Sequence, residues 1–451
     1  MNLTQTSDSR LAARDARPSF TDNLKHVGIK AARSCRIAAL ALTLLPLAAA
    51  SASASTTAQP CPQSFGSFTG QAQPAGCWRP YGPSSPFNTP IPAGARVAAD
   101  SGAIVGQIKS DGVGFAGGKQ GFEFDSQGSR PIYWSQPSDP LVTIHCTYLW
   151  GPNTCQGENG EVVDGLQIHI PANAEPEQQS DGHLTVIDQA NDTEYDFEHA
   201  SWDGPGELTV ASGSAIPISG NGGTGLGGNA DAGDFGLLAG IIRPSELKAG
   251  TINHALAISV PCTQGYVWPS QGPWGLACSS IGRSATGALH MGTLLQLNMT
   301  TSQIAATGAP AWQQTIMRAM AQYGMYINDT NGGSDNQTLE LESQGDESFS
   351  SVGAAPQMAG LLRSLGGQLW TNGAIGVAGV PINPAKLRVI DPCVAQGTCP
   401  AASASTPAPA IVAHDDKVRP AHKAKRAHQS RRHTRRHTRR HTRHHARRHA
   451  G

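Results

Sequence analysis

Eight cysteines fall along the chain as four close couples: Cys61 with Cys77, Cys146 with Cys155, Cys262 with Cys278, and Cys393 with Cys399. Eight cysteines permit 105 connectivities, and pairing of neighbours is the economical one. Closing a loop of about 15 residues is worth roughly 3 kcal/mol when the unfolded chain loses that freedom. Such bridges staple turns and leave distant parts of the chain untied, so the long-range fold must come from a packed core. The competing reading of cysteine pairs is a zinc site, but no C-x2-C spacing occurs and the couples are far apart, so neither a metal nor another cofactor is expected.

A ninth cysteine, Cys35, lies in a segment expected to be removed. Lys25, Lys30, Arg33 and Arg36 precede an apolar run over 37–49, and small residues alternate from Ala50 to Ala54. This is the pattern of a signal peptide over 1–54, with cleavage near Ala52 or Ala54. The apolar run is short against the roughly 20 residues of a membrane-spanning helix, so no transmembrane segment is expected after cleavage. An even number of cysteines in an exported chain fits disulfides.

The net charge of zero conceals an asymmetry. Residues 417–451 carry 14 Lys and Arg, whereas 55–416 carry 12 Lys and Arg against 30 Asp and Glu, a body of charge −18. A linker and tail occupy 401–451, where Arg-Arg-His-Thr repeats from Arg431 onward. Arg at i and i+4 would stack like charges on a helix, so the tail is expected to be disordered. Blocks of this kind are usually interaction arms. The tail has no aromatic residue for base stacking, which argues against nucleic acid and favours retention at the cell surface by an anionic wall polymer. Its nine His from His414 onward are weighed lower, as a metal tract.

Gly and Pro, 52 and 31 in number, punctuate the body, and charged residues are sparse. Residues 55–130 read as loop-rich. Strand-like runs follow at 141–149, 166–170, 183–188, 194–200, 207–211, 251–260, 292–299 and 338–342, so 131–400 is predicted to be a mainly β domain, an antiparallel jelly-roll-like β-sandwich. Two or three short helices are expected. One begins at Arg243-Pro244, and a better one begins at Pro310, with Trp312, Ile316, Met320 and Tyr323 on one face. The Gly-rich stretch 220–233 lacks the Lys-Ser/Thr of a phosphate cradle.

Alternation along strands sorts the polar candidates. His183 and Thr185 share one strand face opposite Leu184 and Val186, which makes His183 a candidate for a groove. Asp188 reads first as a turn residue. Tyr195, Phe197 and His199 fall to one side of their strand and three acids to the other. His254 and Tyr323 sit among apolar neighbours, where burial is the simpler reading. Gln167 and His169 share a strand face and could bind a uronate carboxylate and remove a proton. On the loop 262–278, Tyr266, Trp268 and Trp274 suit stacking on sugar faces, with buried anchoring of the loop equally open.

Two resemblances follow from these residues. The Gln167-Ile168-His169 strand is similar to one in secreted β-sandwich alginate lyases, although that family's Arg-x-Glu-Leu and Tyr-Phe-Lys-Ala-Gly strands are absent. The blocks DGHLTVIDQANDTEYDFEHA, FGLLAGIIRPSELKAGTINHAL and AMAQYGMYINDTNGG, in that order within about 130–350, resemble a group of secreted, mostly actinobacterial proteins. That resemblance implies export and a β-rich domain and brings no activity with it. Its recurring blocks contain His183, Asp188, Tyr195, His254, Tyr323 and Asp329, whereas His290 stands where the group often has Pro. Two functions fit: a secreted carbohydrate-interacting protein, binding a glycan or degrading it as a polysaccharide lyase or glycoside hydrolase, and a non-catalytic envelope protein held at the wall by its tail.

Overall fold

The computed structural model describes residues 77–110, 115–116, 119–124, 130–157, 160–177, 181–223, 230–272, 274–284, 286–331, 338–339, 342–343, 357–366, 368–369, 375–381 and 383–399. Residues 1–54, expected to be a signal peptide, residues 401–451, expected to be a linker and tail, Cys35 and Cys61 lie outside them. The described residues belong to one compact unit.

The chain is mainly β. Its strands form three sheets of nine, five and four members. The largest has at its centre Leu256–Val260 and Met325–Thr330, which pair in parallel, with Leu294–Leu297 antiparallel to the latter. The five-stranded sheet runs Ser212–Pro217, Thr193–Glu198, Leu184–Asp188, Arg130–Ser135, Glu342–Ser343. The third runs Gln167–His169, Leu141–Cys146, Glu207–Val210, Ser201–Gly204. The expected strand runs therefore all contain strands, but the antiparallel expectation is corrected: each sheet is mixed. Leu184–Asp188 pairs in parallel with Arg130–Ser135, and Leu141–Cys146 in parallel with Glu207–Val210. The physical reason is connectivity. The chain leaves one sheet after Ser135, builds strands of another, and returns in the same direction, and such a crossover yields parallel neighbours.

Local chemistry explains the helices. Pro244–Ala249 starts with Pro in its first turn and ends at Gly250, whose φ of 70° closes the C-terminus. Ala311–Gln322 buries Ile316, Met317, Ala319 and Met320 against the central strands of the large sheet. It stops because Gly324 turns left-handed at φ 84°; a Cβ there would stand 2.6 Å from the Leu295 carbonyl oxygen. A helix at Ser101–Ser110 went unforeseen within the stretch read as loop-rich. In that same stretch Trp78, Tyr81 and Phe87 are fully buried in a core shared with Trp134, Phe235 and Tyr326.

The cysteine couples close as neighbours: Cys146–Cys155, Cys262–Cys278 and Cys393–Cys399. Cys77 is also disulfide-bonded, and Cys61, its expected partner, lies outside the described residues. Among the described residues, no helix is long and apolar enough to cross a membrane.

Candidate functional site

The five-stranded sheet is covered on both faces. One face gives Tyr133, Leu184, Val186 and Phe197 to an apolar cluster completed by Val142, Ile144, Ile168, Leu208 and Val210 of the four-stranded sheet. Pairing of Ile132 with Thr185, Thr185 with Asp196 and Ile187 with Glu194 aligns the opposite face. Extended by one two-residue step, it places Arg130 and His183 at one end of a polar row that runs through Thr185 and Asp196 to Glu194. All five are buried.

At the Glu194 end the row is closed by hydrogen bonds. Tyr81 donates its hydroxyl to Glu194 Oε2 at 2.9 Å, and the Leu238 N–H donates to Oε1 at 2.9 Å. Asp196 accepts from the Thr185 hydroxyl at 2.9 Å and the Leu237 N–H at 3.1 Å. Burial, then the neighbouring Asp196 carboxylate, pushes Glu194 well above the usual carboxylate range. Burial raises Asp196 to about 6 against its donors. Two carboxyl groups this close favour one shared proton, held on Glu194. This end locks the 237–238 backbone onto the sheet and offers no open coordination.

The Arg130 end differs. Its Nη2 lies 3.4 Å from Asp231 Oδ2 and 3.7 Å from Asp329 Oδ2. Asp231 also accepts from Asn328 Nδ2 at 2.8 Å and the Gly233 N–H at 2.6 Å. Arg130 and Asp231 are buried, but the Asp329 side chain is 25% exposed, so the network reaches the surface there. Burial raises Asp329 to about 6 against the pull of Arg130. Nearby, burial and then Asp181 raise Glu177 to about 7, opposed by the N–H groups of His183 and Gly182 and by Arg130. His183 donates from Nε2 to the Ala230 carbonyl at 3.1 Å. Its Nδ1 is then a buried acceptor with no hydrogen-bond partner among the described residues. Burial and the Arg130 charge push His183 down to about 3, which keeps the ring neutral. The neighbourhood holds two carboxyl groups raised toward neutrality, an arrangement suited to proton transfer.

An exposed aromatic ring is tied to the same loop and strand end. Trp274, 52% exposed, donates its indole N–H to buried Asp234 at 3.0 Å. Asp234 follows Asp231 in the same turn, its N–H donating to the Asp231 carbonyl at 3.2 Å. On the far side of Trp274, the Leu276 N–H donates to Thr330 Oγ1 at 2.8 Å, next to Asp329. Gly275 allows this seating: at φ 86°, a Cβ would lie 2.8 Å from Thr330 Oγ1. Tyr266 on the same loop is exposed, and Trp268 is half-buried.

The remaining sequence candidates stand apart. His254, buried ahead of the strand expected to contain it, places Nε2 2.8 Å from Glu246 Oε1 and Nδ1 2.8 Å from the Ala255 carbonyl. Glu246 also accepts from Arg243; although burial opposes its charge, Arg243 and His254 hold it below its ordinary value. Tyr323 caps the helix end inside the core around Tyr326. Asp188 accepts from the N–H groups of Ala190 and Asn191, the bonding of a turn residue. Tyr195 is half-buried against the apolar cluster of the smaller sheets. Gln167 and His169 point outward from the four-stranded sheet; His169 bonds the Asp139 carbonyl at 2.6 Å, and a pair of His145 with Glu207 shares the sheet.

Of the residues singled out in the sequence, His183 and Asp329 lie in this network and Trp274 lies beside it, whereas Arg130, Glu177 and Asp231 were not among them. Only the absence of any other Lys or Arg between Arg130 and Arg243 marked Arg130 as special. Among the described residues, no group of three His, Cys, Asp or Glu is arranged to hold a metal ion. No family model matches the chain, nor does any curated protein or solved structure.

Proposed function

We propose that this chain is exported and acts on an extracellular glycan at the surface beside the partly exposed Asp329, with hydrolysis of a glycosidic bond as its chemistry. The observation that carries the reading is the exposed Trp274 ring, anchored by Asp234, beside the accessible edge of a buried Arg130–Asp231 ion pair. Indole faces stack on sugar rings, and hydrolysis of the bond between sugars needs one carboxyl group as acid and one carboxylate as base or nucleophile. Glu177, buried with its N–H on the His183 carbonyl and raised to about 7, is the carboxyl group of this neighbourhood that keeps its proton near neutrality, and it takes the acid's part in this reading, protonating the departing glycosidic oxygen. Asp329, ionised above about 6, takes the proton from the water that attacks the anomeric carbon.

Elimination from a uronate at Gln167 and His169 is the weaker chemistry. It calls for cationic groups to neutralise the substrate carboxylate, and residues 131–242 contain no Lys or Arg. The cationic arm 417–451 would hold the acidic body at an anionic wall polymer. This is the feature that favours the second, non-catalytic envelope reading.

Incubation of the mature protein with a panel of neutral and acidic polysaccharides tests the proposal. Expected is the release of reducing ends, lost at least a hundredfold in Asp329→Asn. Products absorbing as unsaturated uronates would mean elimination instead. Absence of both products leaves the envelope reading, which predicts that removal of residues 411–451 frees the protein from the cell surface.

A further inference from the structure

We infer that the turn closed by the Cys146–Cys155 disulfide is a second carbohydrate-binding site, taking an oligosaccharide without acidic groups. The inference rests on the glycan reading above but on a different surface. A groove of about 510 Å3 is lined by Tyr148, Gly151, Pro152, Cys155, Gln156 and Val162, within the range of ligand sites. Trp150, in the same turn, is 58% exposed, and Val162 is 53% exposed. Two contacts hold the indole. Its N–H donates to Glu198 Oε2 at 2.8 Å, and its ring lies 5.9 Å from the His199 ring. Glu198 is itself fixed by the Ser212 hydroxyl at 3.0 Å. Tyr148 bonds through its hydroxyl to Asp164.

Backbone conformation adds to the case. Tyr148 and His199 both hold a positive φ, 53° and 50°, a conformation that bulky side chains rarely adopt and that clusters at ligand clamps. The disulfide and the strand register hold the turn in that shape, so the rings are preorganised.

Charge selects the ligand. Between Arg130 and Arg243 the sequence holds 16 Asp and Glu and no Lys or Arg. Glu161 and Asp164 are exposed by the groove. A polyanion would meet repulsion with no Lys or Arg of this stretch to offset it, whereas sugar C–H faces stack on Trp150 and Tyr148 and sugar hydroxyls donate to the carboxylates.

Calorimetric titration of the full protein with xylohexaose, cellohexaose and chitohexaose, and with trigalacturonate as the acidic control, tests the inference. Asp329→Asn serves as background, to prevent turnover. Expected is binding of at least one uncharged or N-acylated hexaose, weakened at least tenfold by Trp150→Ala, retained in Trp150→Phe, and absent for trigalacturonate. If Trp150→Ala binds as tightly as its parent while Trp274→Ala loses affinity, the second site is wrong and the glycan reading stands. If no sugar binds at all, both fall. Binding of trigalacturonate alone overturns the ligand class. Unchanged thermal unfolding of Trp150→Ala separates lost contact from lost fold.

Discussion

Arg130 and Asp231 form an ion pair, 3.4 Å from Nη2 to Oδ2, with both side chains shut off from water. The pair joins a strand of the five-stranded sheet to the loop that carries Trp274's anchor, Asp234. Burial raises Asp231 well above the usual carboxylate range against the pull of Arg130, so without Arg130 the carboxyl takes up a proton, and the cost falls at the lower end of the about 3–5 kcal/mol of a broken buried pair. Arg130→Met should lose stability of that order in urea unfolding, and Arg130→Lys less. A change below about 1 kcal/mol in Arg130→Met would show that the network is not holding these elements together.

Glu177 predicts a pH dependence of stability. Its ordinary value is 4.5, and in the folded protein it is raised to about 7. Between those limits the folded state holds a proton that the unfolded state has released. Its contribution is therefore complete below about pH 4.5 and lost as pH rises through 7, at up to about 1.4 kcal/mol per pH unit. Asp329 acts in the same direction between about 3.8 and 6. Urea midpoints at pH 5 and 7.5 should fall further for the wild type than for Glu177→Gln; equal falls would contradict the shift.

The same two groups set an expected rate profile. A base ionised above about 6 and an acid protonated below about 7 give a narrow bell, with its maximum between these values. Measured as kcat/KM, the residual activity of Glu177→Gln should lose the alkaline limb. A limb that persists unchanged in that variant assigns the acid to another group.

Tyr81 and Glu194 separate hydrogen bonding from charge. Because Glu194 is held protonated, Glu194→Gln should cost less than Tyr81→Phe, which leaves the Glu194 carboxyl oxygen without its buried donor at about 1–3 kcal/mol. Thermal or chemical unfolding of the two variants checks the order, and the reverse order would place the charge on Glu194.

The loop that carries Trp274 depends on its bridge. Cys262 and Cys278 are 16 residues apart, so the double Ser variant should lose roughly 3 kcal/mol. If Trp274 is a platform for the site beside Asp329, KM should rise in this variant more than kcat falls. Equal loss in both would make the loop a structural element only.

Much of this molecule is written locally. Strand periodicity marked 183–188 and 251–260, which contain the strands Leu184–Asp188 and Leu256–Val260, Pro and Gly bounded the Pro244–Ala249 helix, and cysteine spacing anticipated three observed bridges, because each depends on neighbours a few residues away. The shared face of His183 and Thr185 was legible for the same reason: side chains alternate along any extended strand. What alternation could not reveal is what covers that face. Glu194 and Asp196 sit at positions that usually meet water, and instead they meet the 237–238 backbone and Tyr81. Arg130, Asp231 and Asp329 carry no mutual spacing signal at all. Their chemistry arises only when parallel crossovers bring a strand start, a loop and a strand end to one place, where burial shifts the carboxyl groups and a single guanidinium answers them.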